Sequence, residues 1–216
     1  MYNPISMLQS TIDHLVVTSP SLEIGIKYVF EKLGVLLQPG GQHIKMGTQN
    51  ALLRLNNSTY LEVISTNPNL PAPNRSRWFE LDSISSNSKP KLSTWVVGTN
   101  NIEEANKIMQ IGDIEKMNRD KWHWLITIPK NGTLINDGVE PLLIQWLEKQ
   151  NPSSMLTDVG YSLIHLNGYH SKATEIEDSL KSIGFKGNFS AIEINKFEKP
   201  SLIAHIQTPH GIVELC

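Results

Sequence analysis

The chain has 216 residues, 39% of them hydrophobic and 19% charged, with a formal net charge of -2; these are the proportions of an ordinary globular protein with enough chain for a sizeable core. No basic face or Lys/Arg run offers contacts to nucleic acid, and no apolar stretch approaches the roughly 20 residues that span a bilayer. The opening Met-Tyr-Asn-Pro-Ile-Ser-Met lacks the basic start and apolar core of a secretory signal, and the single cysteine, Cys216, cannot form an internal disulfide. A cytoplasmic setting is therefore expected, with neither nucleic acid nor membrane as partner; whether two chains pair as a homodimer stays open.

Ile12-Asp13-His14-Leu15-Val16-Val17 reads as a strand. Ser21 is placed to cap a helix running from about Leu22 to Leu33, whose apolar positions Leu22, Ile26, Val29 and Leu33 follow a helical period, and Gly34 supplies a left-handed stop. Pro39-Gly40-Gly41 reads as a turn. Two strands, Asn50 to Leu55 and Thr59 to Ser65, flank a tight hairpin at Asn56-Asn57-Ser58. The Pro-, Asn- and Ser-rich run from Asn67 to Pro90 reads as a linker pinned to the body by Trp78 and Phe79.

A second unit opens with the strand Thr94-Trp95-Val96-Val97. Asn101 caps a helix over Ile102 to Ile111, and strands follow at Trp122–Ile128 and Leu142–Trp146. Beyond Asn151-Pro152-Ser153-Ser154 a third unit is expected: a strand at Ser162–Leu166, a helix at Lys172–Ile183, and strands near Ala191–Asn195, Ser201–Thr208 and Gly211–Leu215. Ser171 and Gly184 stand 150 positions after Ser21 and Gly34 (171 − 21; 184 − 34), an internal repeat of one supersecondary unit. The division is 1–66, first β-α-β-β-β module with the candidate site; 67–91, linker; 92–150, second module; 151–216, third β-α-β-β-β module. The fold class is α+β, with open, curved, barrel-like sheets and helices packed outside.

The segments Ile12–Val17, Gly40–Leu52, Tyr60–Ile64, Gly138–Trp146 and Thr208–Leu215 resemble the glyoxalase-like branch of the vicinal oxygen chelate superfamily. The resemblance touches all three units. It implies paired β-α-β-β-β modules around a cavity that in many members holds a divalent metal, on a fold shared by lyases, isomerases, dioxygenases and binding proteins, so it leaves the reaction open.

Strand alternation places Ile12, His14 and Val16 on one face and Asp13, Leu15 and Val17 on the other; Tyr60, Glu62 and Ile64 share a face in the last strand of the first unit. His14 and Glu62 are then expected to face one hollow, as ligands of a divalent ion such as Zn, Ni, Mn or Fe, or as a metal-free acid/base pair. The resemblance implies that a metal shell needs ligands from a second module. Glu214 and Gln145 occupy comparable last-strand positions, whereas position 14 maps onto Ile164 or Thr94, neither of them a histidine.

His43, Thr48 and Asn50 are candidates for holding a substrate carboxylate or carbonyl, or else serve turn geometry. Trp146 is expected nearest the cavity, with Trp122 and Trp124 read first as core fillers. Arg75 and Arg77 form a weak candidate anion clamp. Two functions stay open: an enzyme acting on a small carbonyl- or carboxylate-bearing metabolite, and a metal-free protein that binds or sequesters one in the same cavity.

Overall fold

The computed structural model describes residues 7–216. Its first unit runs from β1 (Ser10–Thr18) through α1 (Leu22–Leu33) to β2 (Gln38–His43), β3 (Thr48–Arg54) and β4 (Tyr60–Thr66). The second repeats that order: β5 (Lys91–Thr99), α2 (Ile102–Met109), β6 (Asp113–Arg119), β7 (Trp122–Ile128) and β8 (Leu142–Trp146). In each unit the opening strand pairs in parallel with the closing one, β1 with β4 and β5 with β8. The two units join where β1 meets β5 antiparallel, giving one eight-stranded sheet in the order β2-β3-β4-β1-β5-β8-β7-β6.

Local chemistry sets the helix ends. Ser21 Oγ accepts from the Ile24 N–H at 3.2 Å, and Gly34, at φ 72°, closes α1 in the left-handed region. Asn101 caps α2 in the same way, accepting from the Glu104 N–H at 3.2 Å. The hairpin between β3 and β4 is held by Asn56 Oδ1, which accepts from the N–H groups of Ser58 and Thr59.

The sheet curls until its two edge strands approach. Lys45, just past β2, donates to the Glu115 carboxylate and to the Lys116 carbonyl on β6. On the same seam a Cβ at Gly41 would stand only 2.8 Å from Arg119 Cδ, so a residue without a side chain is what lets β6 close over β2. The result is an α+β fold with a curled sheet and its helices outside, and no helix among the described residues is long and apolar enough to cross a membrane.

Two expectations are corrected here. Pro39-Gly40-Gly41 is strand rather than turn: it lies in β2, an edge strand with a register shift between Pro39 and Gly41, where a proline and glycines are tolerated. The strand β6 escaped the reading because Asp-Ile-Glu-Lys-Met-Asn-Arg is too polar to show an apolar alternation; it is an edge strand whose outward charges face solvent.

The third unit comprises β9 (Ser162–Tyr169), α3 (Ala173–Ser182), β10 (Phe189–Ile192), β11 (Ser201–Thr208) and β12 (Gly211–Leu215). Its opening strand pairs with β10 and β11, and β12 lies at the edge in the order β10-β9-β11-β12, so it does not close on itself as the other two units do. The 150-residue offset therefore matches the strand–helix opening and the left-handed Gly184 but not the sheet behind them. Ser171 does not cap α3; instead His170 Nδ1 accepts from the Lys172 N–H at 3.0 Å.

This smaller sheet packs on the outer side of β5. Trp95, fully buried, stacks on Phe189 at 4.5 Å, meets Phe185 edge-on at 5.6 Å, and donates its indole N–H to the Val139 carbonyl at 2.8 Å. Replacing Trp95 by Ala removes this joint, and urea unfolding should record a loss of about 3–5 kcal/mol. A loss below ~1 kcal/mol would mean that the third sheet is anchored elsewhere.

Candidate functional site

Inside the curl, side chains of both units and of the 67–90 segment enclose one hollow. Its walls include His14, Tyr60 and Glu62 from β1 and β4, His43 and Asn50 from β2 and β3, and Arg119, Trp124 and Trp146 from β6, β7 and β8, with Trp78 and Phe79 from the connecting segment. The remaining space is narrow, about 20 Å³, little more than room for a water molecule. A larger guest must move a wall or displace solvent.

The His14 Nε2 and Glu62 Oε2 atoms face each other at 3.6 Å, too far apart for a hydrogen bond. Behind His14, Asp13 Oδ1 lies 2.7 Å from Nδ1. A carboxylate only accepts, so Nδ1 carries the proton and Nε2 is the ring nitrogen presented toward Glu62. Asp13 is itself held by the Trp146 indole N–H at 2.8 Å and the Asn151 amide at 3.0 Å, both donating to Oδ2. Tyr60 stacks on the His14 ring at 4.7 Å and 15°. Burial, reinforced by the charges of Asp13 and Glu62, pushes the Tyr60 phenol well above its usual range, so it stays protonated.

On the other side Asn50 links the acidic and basic parts. Its amide nitrogen donates to Glu62 Oε1, and its oxygen accepts from Gly41 N at 2.8 Å and Arg119 Nη1 at 3.1 Å. Arg119 Nη1 also donates to His43 Nε2 at 3.3 Å, so the His43 proton sits on Nδ1 and is given to Thr48 Oγ1 at 3.0 Å. Burial, with Arg119 and His14 nearby, lowers the His43 pKa to about 3. His43 is a neutral relay between a guanidinium and a hydroxyl.

Of the residues singled out from sequence, His14, Glu62, His43, Asn50 and Trp146 line the hollow, and Thr48 lies buried beneath His43. Gln145 and Glu214 do not join them. Gln145 accepts from the Ile102 N–H at 2.8 Å, closing the start of α2, because alternation along β8 turns it away from its neighbours Ile144 and Trp146. Glu214 is on β12 of the other sheet, exposed and 3.6 Å from His205. Arg75 and Arg77 are committed to Glu115 and Asp82.

These facts bear on the metal that the fold suggests. His14 Nδ1 is already bonded to Asp13, leaving one imidazole nitrogen and one carboxylate as donors. The second unit contributes Ile126, Ile144 and the cation Arg119 where further ligands would be needed. Among the described residues no three His, Cys, Asp or Glu side chains gather closely enough to hold an ion. This donor set does not fit a divalent metal centre.

Four parts of the site were not legible beforehand. Asp13, assigned to the opposite face, is the extra residue of a bulge: Ile12 pairs with Val97 and His14 with Val96, which lets the Asp13 carboxylate reach the neighbouring ring. Arg119 sits at the end of the unrecognised β6. Trp124 lines the hollow as well as filling core. Trp78 and Phe79 form part of its wall, in a short 3-10 segment in which Phe79 (φ 58°) and Glu80 (φ 54°) both adopt left-handed backbone. That conformation costs about 1–3 kcal/mol for each such residue. A bulky pair at positive φ leaves no signature in sequence.

The depressed His43 pKa makes a pH prediction. The unfolded chain takes up a proton at this residue below its ordinary 6.5, which the native site resists down to about 3. Stability is therefore fully present above pH 6.5 and declines as pH falls toward 3, with a slope approaching ~1.4 kcal/mol per pH unit from this residue. Urea midpoints from pH 7 to pH 4 should flatten in His43→Gln; an unchanged slope would show that His43 is not the buried neutral group.

Solved structures similar to this chain include one that shares its fold over most of its length. A hypothetical protein from Staphylococcus aureus aligns with a TM-score of 0.56 at 16% identity, covering 89% of this chain and 90% of that one. A variant of Streptomyces coelicolor methylmalonyl-CoA epimerase in complex with 2-nitronate-propionyl-CoA aligns at 0.43 and 16% identity over 65% of this chain and 97% of its own. Methylmalonyl-CoA epimerase from Mycobacterium tuberculosis aligns at 0.36 and 13% over 62% and 85%. None of the curated proteins matches the chain. The family model described as a glyoxalase-like domain matches residues 12–184, well over half of the sequence. The chain belongs to the glyoxalase-like domain family.

Proposed function

We propose that the protein is an enzyme that moves a proton next to a carbonyl in a small carboxylate- or carbonyl-bearing metabolite, without a metal ion. The observation that carries this reading is the pairing of two proton acceptors, His14 Nε2 and Glu62 Oε2, with a buried guanidinium on the wall of the same hollow. Proton abstraction beside a carbonyl leaves an electron pair that moves onto oxygen. A fixed cation lowers the cost of that charge without reorganising, and Arg119, holding the metabolite's carboxylate beside the carbonyl, serves as the cation. His14 takes the proton at Nε2, with Asp13 holding the ring in the needed tautomer; Glu62 is the alternative acceptor. Asn50 keeps Glu62 and Arg119 in one hydrogen-bonded line, so the base and the anion site hold a constant spacing.

The narrowness of the hollow and its tryptophan walls favour a second reading: a protein that holds such a metabolite without turning it over. Proton exchange separates the two. Phenylpyruvate and 2-oxobutyrate each carry a carbonyl, a carboxylate and an exchangeable CH2. In D2O the protein should speed deuterium entry at that carbon, followed by NMR, and His14→Asn or Glu62→Gln should slow it by roughly 10²–10⁴-fold. Arg119→Met should both weaken binding and slow the exchange. Binding without any exchange by the wild type would sink the enzyme reading and leave the holding one.

A further inference from the structure

Three buried side-chain polar atoms have no partner among the described residues: Ser19 Oγ, Asn67 Nδ2 and Trp78 Nε1. Only the last belongs to a side chain that lines the hollow. Trp78 is 3% exposed, so water outside the protein does not satisfy its N–H. The other two cavity tryptophans differ. The Trp146 N–H is given to Asp13, and Trp124 has no buried orphan atom. Trp78 also meets the His43 ring edge-on at 5.1 Å, which places it beside the residue that Arg119 contacts.

The backbone adds an independent observation. Directly after Trp78, Phe79 and Glu80 are both left-handed, and the Glu80 N–H is tied to the Gly132 carbonyl at 2.9 Å. Gly132 is itself at φ +71°, and a Cβ there would stand 2.0 Å from the Arg77 carbonyl. The chain thus accepts strain at two bulky residues, supported by a glycine that admits no side chain, to set Trp78 and Phe79 against the hollow. Backbone strain and an unpaired buried donor, concentrated at one cavity wall, have a common explanation in a ligand atom that completes the site.

We propose that Trp78 is a ligand-binding and specificity residue: its indole N–H donates to an oxygen on the carbon adjacent to the carboxylate that Arg119 binds. The ligand class is then a 2-oxo or 2-hydroxy acid, which carries two neighbouring oxygen functions, rather than a simple carboxylate. This deepens the reading above and rests on it. A site built to donate to a second oxygen rejects an analogue that lacks it, because the donor is then left buried and unpaired.

The test compares phenylpyruvate with 3-phenylpropionate, which has the same ring and carboxylate but no oxo group. By calorimetry the wild type should bind phenylpyruvate at least about 10-fold more tightly. Trp78→Phe should remove that preference, so that the variant binds the two acids about equally well. In ¹⁵N-labelled wild type the Trp78 indole N–H signal should move downfield with phenylpyruvate and stay in place with 3-phenylpropionate. That signal is assigned through its contacts to Phe79, whose ring stacks at 5.6 Å, so this readout holds even if the variant fails to fold. A retained preference in Trp78→Phe, or an unmoved indole signal in a wild type that binds phenylpyruvate, overturns the role of Trp78 alone. No binding of either acid by the wild type overturns both this role and the proposed function.

Discussion

The Asp13 carboxylate is the point on which the site depends. Moving an ionised carboxylate out of water costs several kcal/mol unless its oxygens are satisfied, and here three donors meet it: the His14 ring, the Trp146 indole and the Asn151 amide. Each comes from a different part of the chain. His14 is its neighbour on β1, Trp146 ends the second unit, and Asn151 lies in the connection to the third. One buried charge thereby orients the proposed base and ties three segments together. Removing any donor leaves Asp13 partly unpaired, which is costlier than never having buried it.

The same principle governs the other side of the hollow. Arg119 is nearly buried, and its guanidinium is tolerated because Asn50 and His43 accept from it. His43 can do so only while neutral, the state favoured first by its burial and then by the neighbouring charge of Arg119. Glu62, Asn50, Arg119, His43 and Thr48 form one line of hydrogen bonds whose directions are set throughout by what each group can donate or accept. A network with so few free valences is rigid. Its remaining free acceptor, Glu62 Oε2, faces His14 Nε2 outside the line, and chemistry has room to act between those two atoms.

The pseudo-symmetric pairing of two like units also explains why a symmetric metal shell does not form. The first unit supplies His14 and Glu62 at its opening and closing strands, while the second presents tryptophans, isoleucines and an arginine to the same space. Both units contribute strands to one curled sheet, but their two inner faces carry different chemistry: one proton-accepting, the other cationic and aromatic. The third unit, with its different strand order, covers the outer face of β5 instead of extending the cavity.

Local rules in the sequence were enough for the helix caps at Ser21 and Asn101, the stops at Gly34 and Gly184, the Asn56 hairpin and the common face of His14 and Glu62. Each depends on contacts within a few residues or on the two-residue period of a strand. What the chain alone left undetermined was which surfaces meet across long separations. The bulge that frees Asp13 exists only against β5, Arg119 reaches the hollow only because the sheet curls until β6 crosses Gly41, and Glu214 is excluded by a strand order that no periodicity encodes. Trp78 reaches the cavity wall through backbone conformations that neither Phe79 nor Glu80 favours, so only the packed tertiary structure selects them.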